Sequence, residues 1–188
     1  MEATGGECPK CRVAPPPYVA AISAADYQGV ARALILLLKF GGVVPVASFW
    51  AQRLAERAPQ LPAWPEVVVP VPLGAARRRQ RGYNQGGEIG RRLARRLGCA
   101  YAADGLRRVR ETAPQSGLTA AERERNVAGA FAAAGKRVQG KQVLLVDDVL
   151  TTGATARAAA AALRRAGARQ VMVMTAVRAA RELCAEAA

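Results

Sequence analysis

Apolar and polar positions along this chain keep two rhythms, short dense apolar runs and longer stretches of helical spacing, separated by glycine and proline. Residues 18–26 read as a strand entering the domain. Residues 28–40 carry the run GVARALILLLKF, which is apolar at helical spacing and stops at Gly41-Gly42. A second helix is expected over 46–57, then a turn over 59–65. Val67, Val68 and Val69 begin a buried strand that Pro70, Val71, Pro72 and Leu73 end. A helix over 85–97 follows, then short strands over 99–102 and 106–109. Residues 110–126 are polar and turn-rich, and Thr119 with Glu122 forms a capping box that opens a short charged helix. Strand pattern resumes over 129–131, and residues 135–141 read as a hairpin-like turn. Next comes the most ordered pattern of the chain: the buried strand 143–146, the helix 155–166 capped by Gly167, and an apolar strand over 170–177. The tail from 178 to 188 is alanine-rich and weakly helical. Strands alternating with helices predict an α/β fold with a central, mostly parallel sheet flanked by helices.

The stretch VLLVDDVLTTGAT, residues 143–155, adds chemistry to that pattern. Asp147 and Asp148 follow the apolar strand directly, at the carboxyl end where open α/β sheets bind ligands. Leu150, Thr151, Thr152, Gly153, Ala154 and Thr155 then lead into a helix N-terminus, whose unpaired N–H groups and dipole suit a phosphate. Gly153 lets backbone approach an anion, and the threonine hydroxyls add donors. Carboxylates that accept from hydroxyls, beside a phosphate cradle, fit a sugar phosphate with free vicinal hydroxyls.

Composition narrows the picture. At 188 residues the chain suggests a lead over 1–17 and one domain over 18–188. The most apolar stretch, 33–38, is too short to span a membrane and ends at Lys39. The N-terminus lacks the basic-then-apolar order of a signal peptide, so a cytoplasmic protein without membrane insertion is expected. Lys and Arg number 28 against 14 Asp and Glu, a net charge of +14 that favours polyanionic partners. With no histidine, His-based triads, imidazole acid–base catalysis and His metal ligands are excluded. Of the four cysteines only Cys8 and Cys11 are spaced as a unit, a CxxC knuckle that supplies half a zinc site. Zn²⁺ there would need an upstream pair or a dimer partner; otherwise the knuckle is vestigial.

The most basic stretch holds Arg77, Arg78, Arg79 and Arg81, then Tyr83, Asn84 and Gln85, and is expected as a loop leaving a sheet strand. Arg91, Arg92, Arg95 and Arg96 share neighbouring faces of the next helix. Arginines clustered without acids would repel unless a polyanion is present, so pyrophosphate and nucleic acid are both candidate partners. The polar excursion brings Arg110, Thr112 and Gln115 as further candidates.

Residues 143–155 resemble the phosphoribosyl diphosphate (PRPP) motif of type I phosphoribosyltransferases: four apolar residues, two acids and a Thr-Gly-x-Thr turn. The resemblance implies the type I phosphoribosyltransferase fold. It makes Asp147 and Asp148 the catalytic pair holding the ribose hydroxyls, gives the 5′-phosphate to Thr151–Thr155, and counts Leu150 among the PRPP-binding residues. It gives pyrophosphate to Val71, Pro72 and Leu73, with the Arg77–Arg81 cluster close behind, and makes 107–126 the flexible loop that closes over PRPP. Mg²⁺ would come with PRPP, held largely by ligand and water.

Further stretches resemble one subfamily, the ComF (late-competence) proteins. These are Cys8-Pro9-Lys10-Cys11, Tyr27-x-Gly29, Leu38-Lys39-Phe40-Gly41, Val69-Pro70-Val71-Pro72-Leu73, Arg81-Gly82-Tyr83-Asn84-Gln85, Arg110-x-Thr112-x-x-Gln115 and 125–131. That resemblance implies a PRPP-binding protein of DNA uptake and natural transformation, with single-stranded DNA and uptake proteins as partners and an oligomer admitted. The family's four-cysteine zinc finger is reduced here to a remnant knuckle. Two alternatives stand beside this reading: an active transferase moving ribose 5-phosphate to an unidentified acceptor, and a PRPP-sensing regulator without turnover.

Overall fold

The computed structural model describes residues 9–112 and 119–179. Its elements run α1 (Pro9–Val13), β1 (Ala20–Asp26), α2 (Gly29–Phe40), α3 (Val46–Ala55) and a 3-10 turn (Ala58–Gln60). They continue with β2 (Val67–Pro70), α4 (Ala75–Arg81), α5 (Gln85–Leu97), β3 (Ala100–Tyr101) and β4 (Leu106–Arg108). Last come α6 (Ala120–Val127), β5 (Phe131–Ala133), α7 (Gly135–Val138), β6 (Gln142–Leu150), α8 (Ala154–Arg165) and β7 (Gln170–Arg178).

Five strands form one sheet in the order β1-β7-β6-β2-β3, every neighbouring pair parallel. The apolar runs are dense because both faces are covered. On one face Val143, Leu145, Val171 and Val173 pack with Val67 and Val69 against the small residues and Leu163 of α8. On the other, Leu144, Val146, Met172 and Met174 pack with Val68 against Leu38 of α2, Trp50 of α3 and Leu93 of α5. Successive residues of one strand thus serve opposite layers, as the pleat requires. Strands β4 and β5 pair antiparallel in a separate ribbon, with Phe131 and Leu106 closing the α8 side of the core.

Register decides where the strands end. Val67 to Pro70 lie level with Val143 to Val146, and Asp147 stands beside Thr175. Strand β6 therefore outruns β2, and Asp147 and Asp148 lie within β6 rather than after it. The residues following Pro70 are drawn alongside, because the Val71 N–H donates to the Val146 carbonyl at 2.9 Å.

Three expectations change. Residues 75–81 form α4 instead of a loop. Ala-Ala-Arg-Arg-Arg-Gln-Arg is a run of good helix formers, and Gly82 ends it in the left-handed region with φ 75°. Residues 135–138 form the short helix α7, whose Val138 is buried in the core where a solvent hairpin would have left it exposed. Arg91 and Arg92 do have an acid nearby: both pair with Glu88, one turn back on α5. Within the lead, Pro9–Val13 form α1; Cys8 lies outside the described residues, as do Gln115 and the tail beyond 179. Among the described residues no helix is long and apolar enough to cross a membrane.

Leu145 is 0% exposed at the centre of the middle strand. Leu145→Ala should lower unfolding free energy by about 2–5 kcal/mol in urea titration, and a loss below about 1 kcal/mol would contradict this packing.

Candidate functional site

At the carboxyl edge of the sheet a cleft of about 330 Å³ runs from the end of β2, across β6, to β7 and β1. Val71, Pro72 and Leu73 line one end, and Leu150, Thr151, Gly153 and Thr155 line the other. Asp147 and Asp148 stand between them. The sequence-predicted residues are thus brought together by register and by the turn between β6 and α8.

That turn is shaped by Gly153, the N-cap of α8, with φ 82°. A side chain there would be strained, and its Cβ would also meet Tyr18 Oη at 3.5 Å. Thr152 Oγ1 accepts from the Ala154 N–H at 3.4 Å. Exposed Thr151 lines the cleft at the start of α8, the helix end whose first N–H groups have no intrahelical partner.

Asn84 fixes the opposite end. It caps α5 by accepting from the Gly87 N–H at 3.2 Å and donates from Nδ2 to the Val71 carbonyl at 2.9 Å. One amide thereby joins the loop after β2 to the helix that carries it. That helix approaches β6 closely: a Cβ on Gly86 would sit 3.1 Å from the Val146 carbonyl oxygen and 3.3 Å from Asp147 Cα.

The two acids differ in surroundings. Asp148 pairs with Lys39 Nζ at 3.3 Å, with both side chains largely covered. Asp147 Oδ1 accepts from the Asp148 N–H at 2.8 Å. Burial and the negative charge of Asp148 push the Asp147 carboxyl up from 3.8 to about 7; Asp148's N–H, Lys39 and Arg108 offset only part of that rise.

Arginines supply the opposing charge. Arg77 and Arg81, one turn apart on α4, line the cleft, whereas Arg78 and Arg79 are exposed. Arg81 donates from Nη1 to Gln85 Oε1 at 3.1 Å, and its guanidinium lies 5.0 Å from the Phe40 ring centre. Arg108 lines the cleft, donates to Thr112 Oγ1 and lies 5.5 Å from the Phe131 ring centre. Burial lowers the pKa of both Arg81 and Arg108, and each keeps a buried Nε without a hydrogen-bond partner. Charged groups kept partly desolvated and aimed into a cleft suit an anionic ligand.

Other predicted residues act at a distance. Tyr83 donates its hydroxyl to the Leu38 carbonyl, which clamps the residues before Gln85 onto the end of α2. Burial raises the pKa of the Tyr83 hydroxyl. Arg110 grips the Asn126 and Ala128 carbonyls at 2.9 and 2.6 Å, bracing the excursion outside the cleft lining. Cys11, on α1, receives a contact from Arg157 Nη2 at 3.8 Å, and Arg157 Nη1 also donates to the Ala14 carbonyl at 2.9 Å.

Sequence reasoning missed Lys39, Tyr27 and Thr175 as cleft residues, and placed Arg108 only within the 107–126 loop. Lys39 carried a signal, a cation directly after the apolar run 33–38. Arg108 individually carried none beyond the loop that contains it, since a separate ribbon brings it in. Thr175 is buried and its hydroxyl lies 2.7 Å from that of Ser23.

The phosphoribosyl transferase domain matches residues 41–185, most of the described sheet and the whole acid–turn–helix unit. This chain belongs to the phosphoribosyl transferase domain family. It is 38% identical over 172 residues to the DNA utilization protein YhgH of Salmonella typhi, an alignment covering 88% of this chain and 75% of that protein. It is 37% identical over 127 residues to competence protein F of Haemophilus influenzae, covering 66% of this chain and 55% of the relative. These relatives agree with the ComF resemblance. Among solved structures, the allosteric regulatory enzyme of purine biosynthesis aligns with TM-score 0.45 and 28% identity over 69% of this chain and 26% of that one. Glutamine PRPP amidotransferase from B. subtilis, complexed with ADP and GMP, aligns with TM-score 0.47 and 27% identity over the same shares. This phosphoribosyl transferase domain thus spans about a quarter of either of those chains. Its parallel five-stranded sheet with covering helices is the type I phosphoribosyltransferase fold.

The raised Asp147 pKa has a sign. With the folded value near 7 and the ordinary value 3.8, the folded protein binds the extra proton between those limits. Stability in the absence of ligand should therefore fall as pH rises through that window and level off above it. Asp147→Asn should flatten this trend, gaining on the wild type between about pH 5 and about pH 8 in urea unfolding. An equal difference at both values would contradict the assignment.

Proposed function

We propose that the cleft binds PRPP with Mg²⁺ and that the protein is a ComF-type phosphoribosyltransferase-family protein acting in DNA uptake. One observation carries the ligand assignment: paired acids at the end of β6 lie in one cleft between the α8 turn and residues 71–73. A 5′-phosphate fits the turn at Thr151, Thr152, Gly153, Ala154 and Thr155. Ribose hydroxyls fit the carboxylates of Asp147 and Asp148. A diphosphate fits Val71, Pro72 and Leu73, with Arg77, Arg81 and Arg108 offsetting its charge.

Mg²⁺ suits this donor set, since two carboxylates offer hard oxygen ligands. Among the described residues no group of three or more His, Cys, Asp or Glu is arranged to hold a metal, so ligand oxygens and water would complete the shell. The ion supplies charge neutralisation on the diphosphate. In turnover the chain's own part is positioning and electrostatics: the acids orient the ribose, the arginines stabilise departing diphosphate, and the segment after Arg108 excludes water from a cationic ribosyl centre. Whether PRPP is passed to an acceptor or read as a signal is decided by pyrophosphate release in the presence of candidate bases and amines.

Arg78 and Arg79 are exposed beside the cleft, and with the net charge of +14 they support single-stranded DNA as a partner. The name of YhgH and that of competence protein F agree with this setting. Zinc at Cys8 and Cys11 would need two further ligands from a partner or a longer chain.

Calorimetry with Mg²⁺ and PRPP should give heat with wild type and lose it when Asp147 and Asp148 are both changed to alanine. Equal heats, or none in either protein, would reject the ligand assignment. For DNA, the slope of log affinity against log salt should fall by roughly 1.4 when Arg78 and Arg79 become alanine, at about 0.7 per phosphate contact. An unchanged slope would reject contact through these arginines.

A further inference from the structure

Two arginines that line the cleft, Arg81 and Arg108, are held in the same way. Arg81 donates from Nη1 to Gln85 Oε1 at 3.1 Å, and its guanidinium lies 5.0 Å from the Phe40 ring centre. Arg108 donates to the Thr112 hydroxyl, and its guanidinium lies 5.5 Å from the Phe131 ring centre. Each thus has a neutral oxygen four residues on, an aromatic ring beside it and a buried Nε without a partner. Among the described residues no carboxylate stands within salt-bridge distance of either. Asp148 bears electrostatically on Arg81 and Asp147 on Arg108, and Arg77 bears on both, so the two guanidinium groups lie beside the acids and toward α4.

The fold does not force these partners to be neutral. Arg91 and Arg92, on the neighbouring helix, both pair with Glu88. Gln85 is the first residue of α5, a position where the helix dipole favours an acid, and a glutamate there would also pair with Arg81. Stability alone therefore favours glutamate at 85. A carboxylate partner, however, would satisfy the guanidinium before any ligand arrives. A neutral oxygen and a ring fix its direction and leave its charge for an incoming anion. We propose that Gln85 with Phe40, and Thr112 with Phe131, are positioning residues that hold Arg81 and Arg108 ready, with their charge uncompensated, for the diphosphate of the ligand. This rests on the cleft being a phosphoribosyl diphosphate site, and it adds which residues outside the cleft lining set the affinity for its most charged part.

The test is calorimetry with Mg²⁺ on wild type, Gln85→Glu, Thr112→Asp and Thr112→Ser, using inorganic pyrophosphate and ribose 5-phosphate as separate probes, with urea unfolding of each protein. The two acidic variants keep an oxygen for the arginine and cancel its charge. The expected result is pyrophosphate affinity about tenfold weaker in each acidic variant, the worth of one charge-assisted hydrogen bond. Thr112→Ser keeps the wild-type affinity, ribose 5-phosphate binds all four proteins alike, and Gln85→Glu unfolds at no lower urea concentration than wild type. Wild-type pyrophosphate affinity in an acidic variant overturns the proposal for that arginine, as does equal weakening of both probes. A lower urea midpoint for Gln85→Glu shows that Gln85 serves the fold and overturns its part. If Gln85→Glu does not fold, Thr112→Asp and Thr112→Ser decide by the same criteria. If ribose 5-phosphate binds wild type and pyrophosphate does not, the proposal fails and the phosphate cradle stands. If ribose 5-phosphate binds none of the proteins, the reading of the cleft itself fails.

Discussion

Two neighbouring carboxylates at the end of a buried strand repel each other, and the cleft is arranged around that repulsion. Asp148 is paired with Lys39, while burial and the charge of Asp148 push the Asp147 carboxyl up to about 7. Both lie within β6, so the sheet holds them at fixed height and they cannot swing apart. Two desolvated guanidinium groups, Arg81 and Arg108, face the same space. An anionic ligand with hydroxyls, as proposed, would answer all of these groups at once, its hydroxyls donating to the acids and its phosphates meeting the arginines and the α8 turn.

Geometry is kept by a few ties rather than by the cleft residues themselves. Asn84 links the Val71 carbonyl to the start of α5, and α5 in turn lies against β6 through Gly86. Tyr83 pins the same stretch to the end of α2, where Lys39 and Phe40 meet Asp148 and Arg81. Two motifs far apart in sequence, Leu38-Lys39-Phe40-Gly41 and Arg81-Gly82-Tyr83-Asn84-Gln85, are therefore one structural unit. Sheet register supplies the rest, since β6 and β7 end level at Leu150 and Arg178 while β2 stops beside Val146, leaving the acids next to the residues after Pro70.

Much of this was legible in sequence because its causes are local. The apolar run before Asp147, Gly153 ahead of an alanine-rich helix and the capping box at Thr119 each announce their structure within a turn or two. Position along the sheet was not local. Strand β6 continues through the acids because β7 beside it offers partners as far as Arg178. The basic stretch hid a helix because arginine suggests surface charge before it suggests helical propensity, and α4 sorts its arginines by face, two inward and two outward. Within the 107–126 loop Arg108 could not be singled out, since its place depends on β4 pairing with β5 across the excursion.

The central claim is that one ligand spans residues 71–73, the two acids and the α8 turn. The most direct measurement is two-dimensional amide NMR of the wild-type protein titrated with PRPP and Mg²⁺, then with ribose 5-phosphate. The account predicts that PRPP moves the amides of Val71 and Leu73 together with those of 147–155, whereas ribose 5-phosphate moves only the second group. Shifts confined to another surface, or the same set with both ligands, would contradict it.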